Sequence, residues 1–117
     1  MREVDISGDG EWLIALDYNG AIFIYSYSTI FVHQQTITLS DGFFQGGAIS
    51  DDHQWLVFGK YTNNIYLYQF NGSKFEENQV IAEITQQINI TNIVIAHDSS
   101  IIVAATSGTS IYVFRGN

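Results

Sequence analysis

Apolar residues in this chain come in short bursts separated by polar knots. The stretch ISGDGEWLIALDYNGAIFIY, residues 6–25, sets the pattern: the runs Trp12–Leu16 and Ala21–Tyr25 flank Asn19-Gly20, and Gly8-Asp9-Gly10 precedes them. Runs this short, bounded by Gly, Asn, Asp and Ser, predict strands rather than helices. Asn-Gly between two such runs predicts a tight hairpin, because both residues accept positive φ.

The pattern recurs. Displaced by 43 residues, Trp12 falls on Trp55, while Ile6, Ser7, Asp9, Leu13, Tyr18, Ile22 and Tyr25 fall on Ile49, Ser50, Asp52, Leu56, Tyr61, Ile65 and Tyr68. A further displacement of 46 residues carries Ile49, Asp52, Ile65, Tyr66 and Tyr68 onto Ile95, Asp98, Ile111, Tyr112 and Phe114. So many ordered matches make an internal repeat. Each copy opens with a short strand: Val4–Ser7, Ala48–Ser50 and Ile93–Ala96. A polar turn follows, at Gly8–Glu11, Asp51–Gln54 and His97–Ser100. The second strands, Trp12–Leu16, Trp55–Phe58 and Ile101–Ala105, are continuously apolar and therefore predicted to be buried on both faces. Hairpin turns at Tyr18–Gly20, Thr62–Asn64 and Ser107–Thr109 lead to third strands Ile22–Tyr25, Ile65–Tyr68 and Ile111–Phe114. A more polar fourth strand is predicted at Gln35–Leu39 and Gln79–Thr85, the first of which alternates with period two.

Four antiparallel strands in a period of 40 to 45 residues describe a β-propeller blade. An immunoglobulin-like sandwich does not repeat its sequence, and a parallel β-helix repeats over shorter periods. The expected fold is all-β: one propeller-like region over residues 1–117, with repeats near 4–39, 47–86 and 93–117. The strand count of four, four and three amounts to about two and three-quarter blades.

Two motifs extend this to a family resemblance. The turn Ser7-Gly8-Asp9-Gly10-Glu11-Trp12-Leu13 and the hairpin Asn19-Gly20-Ala21-Ile22-Phe23-Ile24-Tyr25 resemble those of the WD-repeat family and its looser quinoprotein-like relatives. The resemblance covers nearly the whole chain, with plain departures. Tyr25, Tyr68 and Phe114 replace the Trp of the family's Trp-Asp pair, and Ser26, Gln69 and Arg115 replace its Asp. No Gly-His pair precedes the first strands, and only Gly46-Gly47 hints at one. The resemblance implies a scaffold displaying loops to protein partners, here a divergent one held mainly by apolar packing between blades.

Composition agrees with strands. Apolar residues reach 46%, aromatics 15% and charged residues only 14%, and proline is absent, so Gly, Asn, Asp and Ser supply the punctuation. The formal charge of −8 disfavours nucleic acid and anionic membranes as partners. The lack of cysteine excludes disulfides and thiolate metal sites and leaves the redox compartment open. No apolar run has the length of a membrane-spanning helix. Met1–Asp5 lacks the apolar middle of a secretory signal, so a cytoplasmic location is expected. Asn71-Gly72-Ser73 and Asn89-Ile90-Thr91 match the glycosylation acceptor pattern, which matters only in a secreted chain.

Candidate chemistry is sparse. His53 beside Asp51 and Asp52, and His97 before Asp98, could form a metal-binding ring of carboxylates and imidazoles at one end of the propeller. The histidines are not equivalent, however: His53 aligns with Gly10 and Ser99, and His97 with Gly8 and Asp51. No metal-ligand spacing accompanies them, and the reading as turn residues is preferred. Asp9, Asp52 and Asp98 are equivalent. Catalysis needs asymmetry at one site, whereas a turn is needed in every blade, so these carboxylates are expected to accept bonds from their own turns. No Ser-His-Asp set, nucleophile elbow or phosphate loop is present, and Gly46-Gly47 and Gly8-x-Gly10 are too short to form one. No catalytic, cofactor-binding or metal residue is assigned. Phe43, Phe44, Tyr61 and Phe75 could form a docking surface. The strand aromatics are expected in the core, with Phe43-Phe44 capping a blade edge.

The expected function is a non-enzymatic interaction scaffold whose acidic turns meet a protein partner with a basic surface; the alternative is an enzyme or small-ligand-binding propeller with a pocket on its axis. Three blades side by side leave two apolar faces, expected to involve Ile22, Ile24, Val103 and Val113. Either the chain is part of a longer propeller, the favoured reading, or copies associate to close a ring.

Overall fold

The computed structural model describes residues 3–17, 20–38, 44–60, 65–81, 90–96, 100–106 and 111–115. Three antiparallel sheets of four, four and three strands follow one another in the chain. The first holds β1 (Glu3–Ile6), β2 (Trp12–Leu16), β3 (Ala21–Tyr27) and β4 (Phe31–Thr38). The second holds β5 (Phe44–Ile49), β6 (Trp55–Lys60), β7 (Ile65–Phe70) and β8 (Phe75–Ile81), and the third β9 (Ile90–Ile95), β10 (Ile101–Thr106) and β11 (Ile111–Arg115). In every sheet the strands pair in chain order, as a propeller blade requires.

The repeat is visible in the register. Leu13 pairs with Tyr25 and Leu56 with Tyr68, the same pair in two blades. The Asn-Gly hairpin of the first blade closes through the Asp17 N–H on the Ala21 carbonyl at 3.0 Å, and Gly20 takes φ 86° as that turn demands. Asn19 and the turns at 62–64, 97–99 and 107–109 lie outside the described residues.

Because side chains alternate along a strand, each sheet has two faces, here called leading and trailing after chain order. The trailing face of the first sheet (Ile14, Leu16, Ile22, Ile24) packs on the leading face of the second (Ile49, Leu56, Phe58, Tyr66, Tyr68), with Phe75 and Ile37 completing the cluster. The trailing face of the second (Ala48, Val57, Ile65) packs on the leading face of the third (Ile93, Ile102, Ala104). Val57 and Phe58 are neighbours in sequence, both fully buried, and belong to different clusters. The second strand of the middle blade is thus covered on both faces, as its continuous apolar run predicts. Those of the first and third blades are covered on one face only, leaving Leu13 and Val103 partly buried.

The expectation that Ile22 and Ile24 lie on an open face is overturned. Both are fully buried between the first two sheets. The open face of the first sheet is its leading one, where Val4 is 62% and Ile6 50% exposed. At the other end the expectation holds: Val113 is 54% exposed on the trailing face of the third sheet, beside the partly buried Val103. The outer strands also begin earlier than predicted, at Phe31 and Phe75 instead of Gln35 and Gln79. Register shifts at Ile24/Tyr25 and Leu67/Tyr68 interrupt the side-chain alternation along both strands, and in the first only the distal half shows period two in the sequence. Phe75, a candidate for a docking surface, is 2% exposed and packs edge-on against Trp12 at 5.7 Å. Phe43 and Tyr61 lie outside the described residues, as does the Phe44 side chain.

Gly46-Gly47 has a packing role. It sits in β5, the inner strand of the middle blade, where both neighbouring blades come close. A Cβ on Gly47 would stand 3.0 Å from the Leu16 side chain of the first blade, and one on Gly46 would stand 3.2 Å from the Asn92 backbone of the third. Two larger residues would hold the inner strands apart.

Candidate functional site

Two features bring chemistry-bearing residues together: the turns at one end of the blades and the groove between the inner strands. The turns are built by one device used twice. Ser7 is 2% exposed; its hydroxyl donates to Asp9 Oδ1 at 2.5 Å and accepts the Trp12 N–H at 3.1 Å. Asp9 Oδ1 also accepts the Glu11 N–H at 3.0 Å. In the next blade Ser50 is fully buried; its hydroxyl donates to Asp52 Oδ1 at 2.7 Å and accepts the Trp55 N–H at 3.0 Å. Asp52 Oδ1 accepts the Gln54 N–H at 3.1 Å. The backbone closes each turn alike, with Ser7 N–H on the Trp12 carbonyl and Ser50 N–H on the Trp55 carbonyl, both at 2.9 Å. Asp9 and Asp52 thus hold their own turns, as a carboxylate recurring in each copy should. Asp98 lies outside the described residues.

The strand-and-turn pattern assigns these serines no role of their own. Their signal was present, since Ser7 and Ser50 occupy one repeat position, which Ala96 fills in the third copy. There the backbone bond survives, Ala96 N–H to the Ile101 carbonyl at 2.8 Å, without a hydroxyl to join strand and turn.

The two turns are tied together. Asp9 N–H donates to the Asp51 carbonyl at 2.9 Å, and His53 Nδ1 lies 2.6 Å from Asp9 Oδ2. His53 also lies 3.9 Å from Glu11 Oε2 and packs against Trp12 and Phe70, with ring centroids at 5.6 and 5.3 Å. His53 therefore bridges to the carboxylates of the preceding blade. Its backbone occupies the left-handed region at φ 53°, where its counterpart Gly10 has φ 73°.

Asp9, Glu11 and His53 each place one potential ligand atom within 4.8 Å of the others, the grouping among the described residues closest to a metal set. A cation there would have to displace the His53–Asp9 bond. Partial burial works against ionisation of Asp9, but the Ser7 hydroxyl, the Glu11 N–H and His53 outweigh it and hold the carboxyl below its ordinary value. For Asp52 the Ser50 hydroxyl leads and the Gln54 N–H adds to it, lowering this carboxyl too against the effect of burial. The rim therefore stays negative at neutral pH. The Tyr68 phenol is pushed up by burial, with Glu77 adding to the effect.

The second feature is an open groove of about 300 Å³ between β1, β5 and β9, lined among others by Val4, Ile6, Gly47, Ile49, Asn92 and Val94. Its ionisable groups among the described residues are Asp5 and Asp51. Asp5 Oδ2 accepts the Ile49 N–H at 3.0 Å, a bond between the inner strands of the first two blades. The groove thus combines apolar side chains with two carboxylates, of which Asp5 is already bonded to backbone.

No protein-family model and no curated protein matches the chain. Among solved structures it is similar to the C-terminal WD40 domain of Sif2, with a TM-score of 0.79 and 13% sequence identity, over 98% of this chain and 33% of that one. The likeness establishes the fold: three consecutive sheets arranged as blades of a WD40-type propeller. The chain spans a third of that structure's length.

Proposed function

We propose that this stretch of propeller is a non-enzymatic interaction module that presents the acidic end of its blades to a protein with a basic surface. The observation that carries this reading is the collection of Asp9, Glu11, Asp51 and Asp52 on two adjoining turns tied to one another by the Asp9–Asp51 backbone bond. Asp9 and Asp52 hold the turns through their hydrogen bonds, and the Glu11 side chain beside them is 61% exposed. A chain with 12 carboxylate residues against 4 lysines and arginines adds a long-range field of the same sign, which steers a basic partner and repels nucleic acid. The WD40-type fold supports the reading in general terms, because such blades expose turns at both ends of a rigid stack.

A fluorescent lysine-rich peptide serves as probe. Its affinity is expected to fall several-fold between low and physiological salt, and further on Glu11→Lys. Binding indifferent to both would overturn the proposal. An enzyme or ligand-binding propeller would instead use the axial groove, and a thermal-shift screen with divalent cations, quinones and sugars checks that. No stabilisation is expected, and a saturable single-site shift would replace the present reading.

A further inference from the structure

The acidic rim and the axial groove meet at one residue. Asp51 stands on the turn of the second blade and also lines the groove. A Cβ on Gly8 would lie 2.5 Å from Asp51 Cγ, so this carboxyl group rests against the turn of the first blade. Asp5 lies within β1, away from that turn. Its Oδ2 accepts the Ile49 N–H, and among the described residues no donor reaches its Oδ1. Both carboxylates are half-buried, and the described residues of the groove include no lysine, arginine or histidine. Beside them stand Val4, Ile6, Ile49 and Val94. The groove runs along β5 with β1 and β9 on either side, so its walls come from three consecutive blades.

This lining selects its occupant by charge and by shape. An anion would meet two carboxylates of its own sign. A neutral apolar group would bury those carboxylates without a partner. A hard divalent cation takes about six or more oxygen ligands, and the apolar side chains offer none. A long side chain with a cationic end satisfies both parts of the lining, its stem on the apolar wall and its head at the carboxylates. We infer that the rim's basic partner inserts one lysine or arginine side chain into this groove. Its methylene stem lies beside Ile6 and Val94 and its charged end at Asp5 Oδ1, with Asp51 at the entrance. The contact rests on the acidic-rim reading above and names the residue by which that partner is anchored. Size agrees: about 300 Å³ stands at the lower limit of small-molecule pockets, roughly 300–1,000 Å³, and suits one side chain. The rim attracts positive charge of any shape, whereas the groove distinguishes a long stem from a short one.

Stem length at constant charge is the test. A fluorescent peptide whose basic residues are all diaminobutyrate carries its charges on short stems, and replacing one of them by lysine lengthens a single stem. That first lysine is expected to raise affinity for the chain roughly five- to tenfold, from the added methylenes laid on the groove wall. A second lysine is expected to add little, because one side chain fills the groove. Val94→Lys, at a position 51% exposed, puts a positive charge into the groove and should abolish the gain, with far-UV circular dichroism verifying the strands. Asp5→Asn keeps an acceptor for the Ile49 N–H, removes the charge and should reduce the gain several-fold. If lysine and diaminobutyrate peptides bind alike, or Val94→Lys and Asp5→Asn both keep the full gain, the groove is not the anchor. In that case Glu11→Lys would still weaken every peptide if the rim reading holds. Stem-dependent binding indifferent to salt and to Glu11→Lys would overturn the rim and leave the groove, and peptides that fail to bind at any salt would overturn both.

Discussion

His53 Nδ1 lies 2.6 Å from Asp9 Oδ2, a bond between residues 44 positions apart that joins the turns of two consecutive blades. It gives the histidine an architectural role and makes one carboxylate serve two turns. Asp9 holds its own loop through one oxygen and the next blade through the other. A backbone bond runs parallel to it, from Asp9 N–H to the Asp51 carbonyl.

Replacing His53 separates its two contributions. His53→Ala removes the bond to Asp9 and the packing on Trp12 and Phe70, and still places a Cβ at φ 53°. His53→Gly loses the same contacts but relieves the left-handed backbone, as Gly10 does in the first blade. Urea unfolding is expected to show both variants destabilised, with alanine worse than glycine by about 1 kcal/mol. Equal losses would show that the backbone at this turn relaxes freely.

Acid should loosen the blade turns. Asp9 and Asp52 bind protons more weakly in the folded chain than at their ordinary value of 3.8, so protonation favours the unfolded state. Their stabilisation is complete above that value and is lost as the pH falls through the lower folded value. Thermal melts are expected to change little from pH 7 to 5 on account of these two groups and to drop below about pH 4. Asp52→Asn keeps an acceptor oxygen for Ser50 and Gln54 and should flatten the acid limb; an unchanged limb would remove Asp52 from the account.

The blade pattern was legible because it rests on local signals. Trp12–Leu16 was bounded without error by the polar knot before it and Asp17 after it. Which face of a strand meets a neighbour was not legible. Ile22 and Phe23 are both apolar, and alternation assigns them to opposite faces without saying which face another blade covers. That depends on the order of whole sheets, so the pattern alone puts Ile22 and Ile24 on an open face, where the stacking of blades buries them. The His53–Asp9 bond was hidden for a related reason. Alignment set His53 against Gly10, and only the stacking of blades brings it to Asp9.

Gly8 and Gly10 are expected to resist substitution for different reasons. A Cβ on Gly8 would stand 2.5 Å from Asp51 Cγ and 2.7 Å from its Cβ, so Gly8→Ala forces two blade turns apart, by about 1–3 kcal/mol. Gly10 has open space around it but φ +73°, so Gly10→Ala loses about 1 kcal/mol to backbone strain alone. A second change, Asp51→Gly, should recover much of the loss at Gly8 and none of that at Gly10. Additive behaviour in both pairs would contradict the packing explanation.

The serine device predicts a gain as well as a loss. Ser50→Ala leaves the partly buried Trp55 N–H without its side-chain acceptor and takes the hydroxyl from Asp52, which should lower stability by about 1–3 kcal/mol. The third copy is the natural form of that variant. Ala96 keeps the backbone bond to Ile101, and Asp98 follows it at the spacing that separates Ser7 from Asp9 and Ser50 from Asp52. Ala96→Ser restores the Ser-x-Asp pattern in the blade that lacks it. The restored hydroxyl would have a carboxylate to donate to and the N–H of Ile101, the counterpart of Trp12 and Trp55, to accept from. Urea unfolding is expected to show a gain of about 1 kcal/mol, with no gain when Asp98→Ala accompanies it. A serine that stabilises equally with and without Asp98 would mean that the turn of the third blade closes differently from the other two.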